Sequence, residues 1–358
     1  MASDQETAVE STQSPDDGDA LEDPIGYFLQ DLIYHGKTDR TQTAYERVLR
    51  EFESFLAETH DTGVQAASQR ECMAYVHSLR ETHAESTVAT YASYLHRFYA
   101  YLTEAGVFTE NPMALVTSEM DESIDTDPAR REIDVPAMRQ FVAGIAHPLD
   151  RAVIVTLLKT GMRVGELCNL DLRDLYLDDD AIASAYEIEP RGQLNGRPDS
   201  IFVASEPSRG RAYNGEERTA SNKRKRPTVI PVDRELKATL KTYLAMRPTA
   251  RSPAEPVFCS TRSDWGKRLT PRIVRRIVTD RAADMGWYES GGNAEENVTP
   301  HYFRHFFTTH LRDRTGDRGI VKYLRGDVAE DIIDTYTHNW GDRVRERYEA
   351  AIYSLGMQ

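Results

Sequence analysis

Between positions 25 and 118 apolar residues recur at intervals of three and four, and that rhythm breaks off in an acidic stretch before resuming. The pattern dictates a helical unit followed by a separate second unit. Tyr45, Val48, Leu49, Phe52, Phe55 and Leu56 form one helical stripe, with Thr41 or Thr43 as its start signal. Tyr91, Tyr94, Leu95, Phe98 and Leu102 form another, after Ser86-Thr87 and before Gly106, and a shorter helix runs from Cys72 to Leu79. About four helices therefore fill residues 25–118. Asn111-Pro112 interrupts the pattern, and the acid-rich, apolar-poor residues 119–132 read as a linker.

Residues 133–358 mix element types. Pro136 suits the first turn of a helix, and Leu149 to Thr160 is an apolar helix closed by Gly161. Ala181–Ile188, Thr228–Val232 and Pro256–Cys259 read as short strands, with a Gly/Arg/Asn-rich segment at 190–220 too long for a simple turn. From Leu236 the periodicity is helical again. The expected fold class is mainly α with a small antiparallel β-sheet in the second domain.

The charge of −14 opposes an ordinary nucleic-acid binder, which presents cations to phosphate. Its distribution changes that reading. Residues 1–24 carry eight acids and no Lys or Arg, and read as a disordered acidic tail; without them the charge is −6. The cations are 36 Arg against 8 Lys, and Arg grips phosphate with a planar fork of donors. An acidic, Lys-poor surface also fits a protein adapted to concentrated salt, where long-range attraction to DNA is screened. No apolar run reaches the roughly 18 residues a membrane span needs, and no secretory signal is visible. Cys72, Cys168 and Cys259 show no metal-ligand spacing and read as buried thiols of a reducing cytoplasm.

Four separated pieces carry the chemistry. Thr160-Gly161-Met162-Arg163-Val164-Gly165-Glu166-Leu167 ends a helix on Gly with an Arg in the turn. Ser221 to Pro231 is a basic turn feeding a strand. Pro300-His301-Tyr302-Phe303-Arg304-His305 places His301 and Arg304 on one helix face. Tyr323-Leu324-Arg325-Gly326-Asp327 precedes Thr335-Tyr336-Thr337-His338. Each piece alone has a bland reading as cap, solvated loop or core aromatic.

Together, in this order and spacing, they resemble the catalytic domain of the tyrosine recombinases, the Xer-type and phage-type integrases, in an archaeal-type, salt-adapted form. That family has Arg in a TGxRxxEL turn, Lys on a β-hairpin, His-x-x-Arg on a helix, an LGH-like turn and a Tyr nine residues on. Arg163, Lys223, His301, Arg304 and Tyr336 match, and Asp327 lies nine residues before Tyr336. The resemblance covers about 133–358; the helical unit is more loosely similar to the family's SAM-like core-binding domain.

The resemblance implies that Tyr336 attacks a DNA phosphodiester and forms a 3′-phosphotyrosine. Arg163 and Arg304 would hold the non-bridging oxygens, favouring the extra negative charge of the transition state over the ground state. Lys223 would protonate the departing 5′ oxygen, with Lys225 as the alternative, and His301 would take the Tyr336 proton or bond the phosphate. No metal, ATP or other cofactor is implied. Glu166 either supports Arg163 or the Lys hairpin, or forms a helix-surface ion pair. Asp327 breaks the pattern, since the family has His or Trp there and an ionised Asp would repel the transition state. It caps a helix over Ala329–Thr335, or pairs with Arg325 or Lys223, or weakens the site.

His305 and His310 read as packing, His338 as orienting and Trp340 as packing. Arg40, Arg47, Arg97, Lys225, Arg226, Arg272, Arg275 and Arg276 are candidate DNA-backbone contacts. The amphipathic tail Val344 to Tyr353 packs on its own domain or on a neighbouring copy. The implied partners are double-stranded DNA and three further copies of the chain, in a tetramer on two DNA sites formed by a monomer or weak associate, with no membrane. Two other readings stay open: a type IB topoisomerase-like relaxing enzyme, and a degenerate recombinase that binds DNA without cutting.

Overall fold

The structure, a computed structural model, describes residues 22–124, 129–327 and 340–357. Tyr336, His338, the expected helix at 329–335, nearly all of the acidic tail and the side chain of Trp340 lie outside what is described. The chain splits into two compact units, Met1–Asp127 and Pro128–Gln358.

Among the described residues the first unit is helical: α1 (Pro24–Tyr34), α2 (Asp39–His60), α3 (Gln69–Arg80), α4 (Glu85–Glu104) and α5 (Met113–Glu119). Their apolar stripes meet in one core that includes Phe28, Val48, Phe52, Tyr75, Leu95, Phe98 and Met113. The start of α2 lies earlier than Thr41 or Thr43, because the Thr38 hydroxyl accepts the Thr41 amide and caps it. Helix α3 is fixed by a capping box, Ser68 with Glu71. Helix α4 begins at Glu85 after Ala84, with no side-chain cap, so Ser86-Thr87 already lies inside it.

The second unit packs α6 (Val135–Ala143), α7 (Pro148–Thr160), α8 (Val164–Cys168), α9 (Asp180–Tyr186), α10 (Arg234–Leu244), α11 (Pro271–Ala283), α12 (Pro300–Thr315), α13 (Arg318–Arg325) and α14 (Trp340–Ala351) with short strands. Helix α7 is buried along nearly all its length, as its continuous apolar sequence requires. Strands β1 (Leu175–Tyr176), β2 (Ser200–Val203) and β5 (Thr228–Pro231) form an antiparallel sheet in the order β1-β2-β5, with Ile201 opposite Ile230. Between β2 and β5 sits a two-stranded ladder, β3 (Ala212–Tyr213) and β4 (Glu216–Glu217). Its turn is Asn214-Gly215, both at positive φ, the conformation a two-residue hairpin demands.

Two strand expectations fail. Residues 180–186 are helical: Asp179 caps the Ile182 amide, Ile182 and Tyr186 meet the core one turn apart, and the alanines between them favour a helix. The alternation read there as a strand came from small residues that suit either period. Pro256–Cys259 bends at Val257 and Phe258 and makes only isolated bridges, Asp171 with Pro256 and Cys259 with Arg268. The three cysteines are free and buried. No helix among the described residues is long and apolar enough to cross a membrane.

Candidate active site

Helix α7 terminates because Gly161 turns into the left-handed region at φ 60°. A Cβ there would stand 2.3 Å from the Phe307 ring, so glycine is required by space as well as by conformation. The turn delivers Arg163 to the start of α8. One turn on, the Glu166 carboxylate accepts the Arg163 amide at 2.9 Å and the Arg163 Nη1 at 3.1 Å. Arg304 comes from the first turns of α12 and is almost wholly buried. Its Nη1 donates to the carbonyls of Gly161 (2.7 Å) and Arg325 (3.0 Å). A single carbonyl, that of Gly161, thus joins the two elements that carry the arginines.

Asp327 lies between them. Its Oδ1 accepts from Arg163 Nη2 at 2.6 Å, and its Oδ2 from Arg304 Nη2 at 2.8 Å and Arg325 Nη2 at 2.9 Å. Of the pairings expected for it, Arg325 is present; the stronger partners, Arg163 and Arg304, were not expected. Burial raises the Asp327 pKa, but Arg304, Arg325 and Arg163 outweigh it and hold the carboxyl below its usual range. Burial and the neighbouring Arg163 lower Arg304 to about 10. Asp327 is therefore an ionised carboxylate at neutral pH.

Glu166 is fully buried, which excludes the helix-surface ion pair. Its Oε2 lies 3.2 Å from Arg224 Nε. Arg224, which sequence reasoning passed over as one of a run of cations, is buried and donates from Nη2 to the Leu324 carbonyl at 3.0 Å. No signal in the basic turn marks it, and Lys223, Lys225 and Arg226 around it are exposed. The residues just before Lys223 are fixed too. Asn169 Nδ2 donates to the Ala220 carbonyl (2.9 Å) and to Asn222 Oδ1 (2.8 Å). A Cβ on Gly165 would stand 2.5 Å from the Ser221 carbonyl, so glycine allows this segment to lie against α8. Lys223 thus projects from a segment pinned on both sides.

His301 stands one helical turn before Arg304 and keeps a solvent-exposed face. Partial burial and the charges of Arg130, Arg304, Arg325 and Arg163 lower its pKa, so its neutral, proton-accepting form is favoured. His310 packs on Phe306 and Tyr353. The structure brings Arg163, Glu166, Asp327, Arg304 and Arg325 together with the unexpected Arg224.

The remaining arginines are dispersed. Arg272, Arg275 and Arg276 share the exposed face of α11, and Arg40 and Arg97 are exposed in the helical unit. Arg47 donates to the Tyr91 hydroxyl at 2.7 Å. The tail packs on its own unit. Val344, Tyr348, Tyr353 and Leu355 are buried, and Lys159 Nζ, fully buried, donates to Asp233, Glu235 and the Tyr353 carbonyl, each at 2.6 Å.

The profile of the phage integrase family matches residues 133–341, more than half the chain. The chain belongs to that family. As a phage integrase family member it is a tyrosine recombinase, and the profile of the family's N-terminal SAM-like domain matches residues 25–106. Tyrosine recombinase XerC of Thermodesulfovibrio yellowstonii is 27% identical over 328 residues, covering 87% of this chain and 91% of the relative. Tyrosine recombinase XerA of Pyrococcus furiosus is 29% identical over 202 residues, covering 56% and 54%. The Tn1549 transposon integrase, solved with a circular intermediate DNA, shares the fold with a TM-score of 0.61 at 17% identity, over 91% of this chain and 98% of that one. A lambda integrase tetramer bound to a Holliday junction does so with a TM-score of 0.58 at 16% identity, over 86% and 76%.

Proposed function

We propose that this integrase-family chain exchanges DNA strands at specific sites, with Tyr336 forming a 3′-phosphotyrosine. The observation that carries the reading is the meeting of two guanidiniums, Arg163 and Arg304 from different elements, on the two oxygens of one small anion. Two such donors aimed at one acceptor suit the non-bridging oxygens of a phosphodiester, and favour most the state in which charge builds there. Glu166 orients Arg163 through two hydrogen bonds. His301 accepts the Tyr336 proton. Lys223 protonates the leaving 5′ oxygen from its exposed, pinned position, with Lys225 as the alternative. The phosphotyrosine conserves the energy of the broken bond, so rejoining needs no ATP. The helical unit, residues 25–118, and the catalytic unit, from 133 on, each bind the duplex, the exposed arginines named above contacting its backbone. Four copies act on two sites in the cytoplasm. The structural relatives, an integrase solved with a circular intermediate DNA and a lambda integrase tetramer bound to a Holliday junction, support this assembly.

Asp327 favours one other reading, a recombinase that binds without cutting, because an ionised carboxylate occupies the two arginines. A duplex nicked beside the cleavage point, built on the site the protein selects from a random pool, separates the two. A covalent adduct that disappears in Tyr336→Phe is expected; specific binding with no adduct would leave only the binding reading.

A further inference from the structure

Among the described residues, each catalytic arginine has one terminal nitrogen engaged by the scaffold. Arg163 Nη1 is held by Glu166, and Arg304 Nη1 by the carbonyls of Gly161 and Arg325. The other nitrogen of each is the one available to a ligand, and both are taken by Asp327. The carboxylate presents one oxygen to each arginine, as the two non-bridging oxygens of a phosphodiester would.

We propose that Asp327 occupies the seat of the scissile phosphate in the free enzyme, and that cleavage begins only when the DNA phosphate displaces its side chain. The proposal rests on the reading that Arg163 and Arg304 hold that phosphate. Two features show that the seat can be opened. The Asp327, Arg163 and Arg325 side chains retain about a third of their exposure, at 31%, 29% and 29%. The Asp327 backbone is fixed, its amide donating to the Lys322 carbonyl at 2.9 Å, behind Gly326, whose φ of 70° places it against the Arg224 side chain. Displacement is therefore a rotation of one short side chain about a fixed Cα.

Electrostatics requires the exchange. A carboxylate left beside a phosphate gaining charge would repel it, whereas one turned to solvent would not. Without DNA the same carboxylate keeps Arg163, Arg304 and Arg325 assembled against their mutual repulsion. Asp327 thus sets a threshold. A phosphate brought by a duplex with many other contacts wins the seat, and one brought by a weakly held duplex does not.

The test compares the full-length chain with Asp327→Asn and Asp327→Ser. Thermal melting is followed in chloride and in inorganic phosphate at equal ionic strength. Both variants should melt lower in chloride and recover in phosphate, while the unaltered chain responds little. Equal responses from all three proteins would overturn the proposal. On the nicked duplex, the DNA concentration that half-saturates adduct formation should fall about tenfold in Asp327→Asn, since the binding-competent fraction rises. A lower plateau at unchanged half-saturation would place Asp327 in the reacting complex and overturn the proposal. If no protein forms adduct but only the variants respond to phosphate, the strand-cleavage reading fails and the anion seat stands.

Discussion

Two aspartates in the second unit are gripped by arginines, and their surroundings separate a structural ion cluster from one open to a ligand. Asp171 is fully buried and accepts from Arg218 at 2.8 and 3.1 Å, from Arg268 at 2.6 Å, and from Asn214. Those arginines are tied further to Glu216 and to the carbonyls of Cys168, Leu170 and Tyr213. The cluster fastens the β3–β4 ladder to the rest of the unit, and its Asp171 and Arg218 side chains have no exposed surface. Asp327 binds three guanidiniums against two at Asp171, yet keeps a solvent-exposed face. Pairing alone does not make a site; pairing that a ligand can reach does.

The difference can be broken or sharpened by experiment. Asp171→Ala strands two buried guanidiniums and should cost about 3–5 kcal/mol in urea unfolding, as loss of one partner from a buried pair does. Asp327→Ala should cost less, about 1–3 kcal/mol, because solvent compensates Arg163 and Arg325 while the buried Arg304 keeps the Gly161 and Arg325 carbonyls as acceptors. Equal losses would erase the distinction between the two clusters. Arg304→Ala should lower the single-turnover cleavage rate by about 10²–10³ while binding of duplex persists, consistent with losing one preorganised donor to a transition-state oxyanion. Arg268→Ala should instead reduce soluble yield and unfolding midpoint.

The pH profile bears on the open cluster alone. The folded pKa of His301 lies below its ordinary value, so the neutral acceptor persists to lower pH than a free imidazole would allow. Cleavage should be flat above that depressed pKa and fall about tenfold per pH unit beneath it. His301→Gln should abolish this limb. The smallest effect belongs to the surface: Arg272→Gln should weaken binding of every duplex similarly and reduce the slope of log affinity against log salt by about 1. Activity of the unaltered chain should hold in concentrated KCl if its Lys-poor acidity is an adaptation to salt; a maximum in dilute buffer would refute that.

Much of this was legible because it is local. Helical stripes, the Gly161 stop and the His301–Arg304 face each depend on neighbours within two turns. The rest depends on distant partners. Asp327 meets Arg163 across 164 positions, a pairing that no spacing announces. Arg224 is distinguished from Lys223 and Lys225 only by the burial that the fold imposes on one member of a charge run. Strand β2 vanished into a segment read as Gly/Arg/Asn-rich, although Asn214-Gly215 within it was a readable hairpin turn. Residues 180–186 failed for the opposite reason: their local signal was ambiguous, and only the capping geometry of Asp179 settles it.

The Gly161 carbonyl makes Arg163 and Arg304, the two arginines proposed to hold the phosphate, inheritable only as a set. It accepts from Arg304, while the next two residues lead to Arg163, and the space where a side chain would start is filled by Phe307. A mutation that shifts this peptide moves both guanidiniums at once. A lineage altering the reach of this arginine pair must therefore change helix end, ring and arginine together, or leave all three as they are.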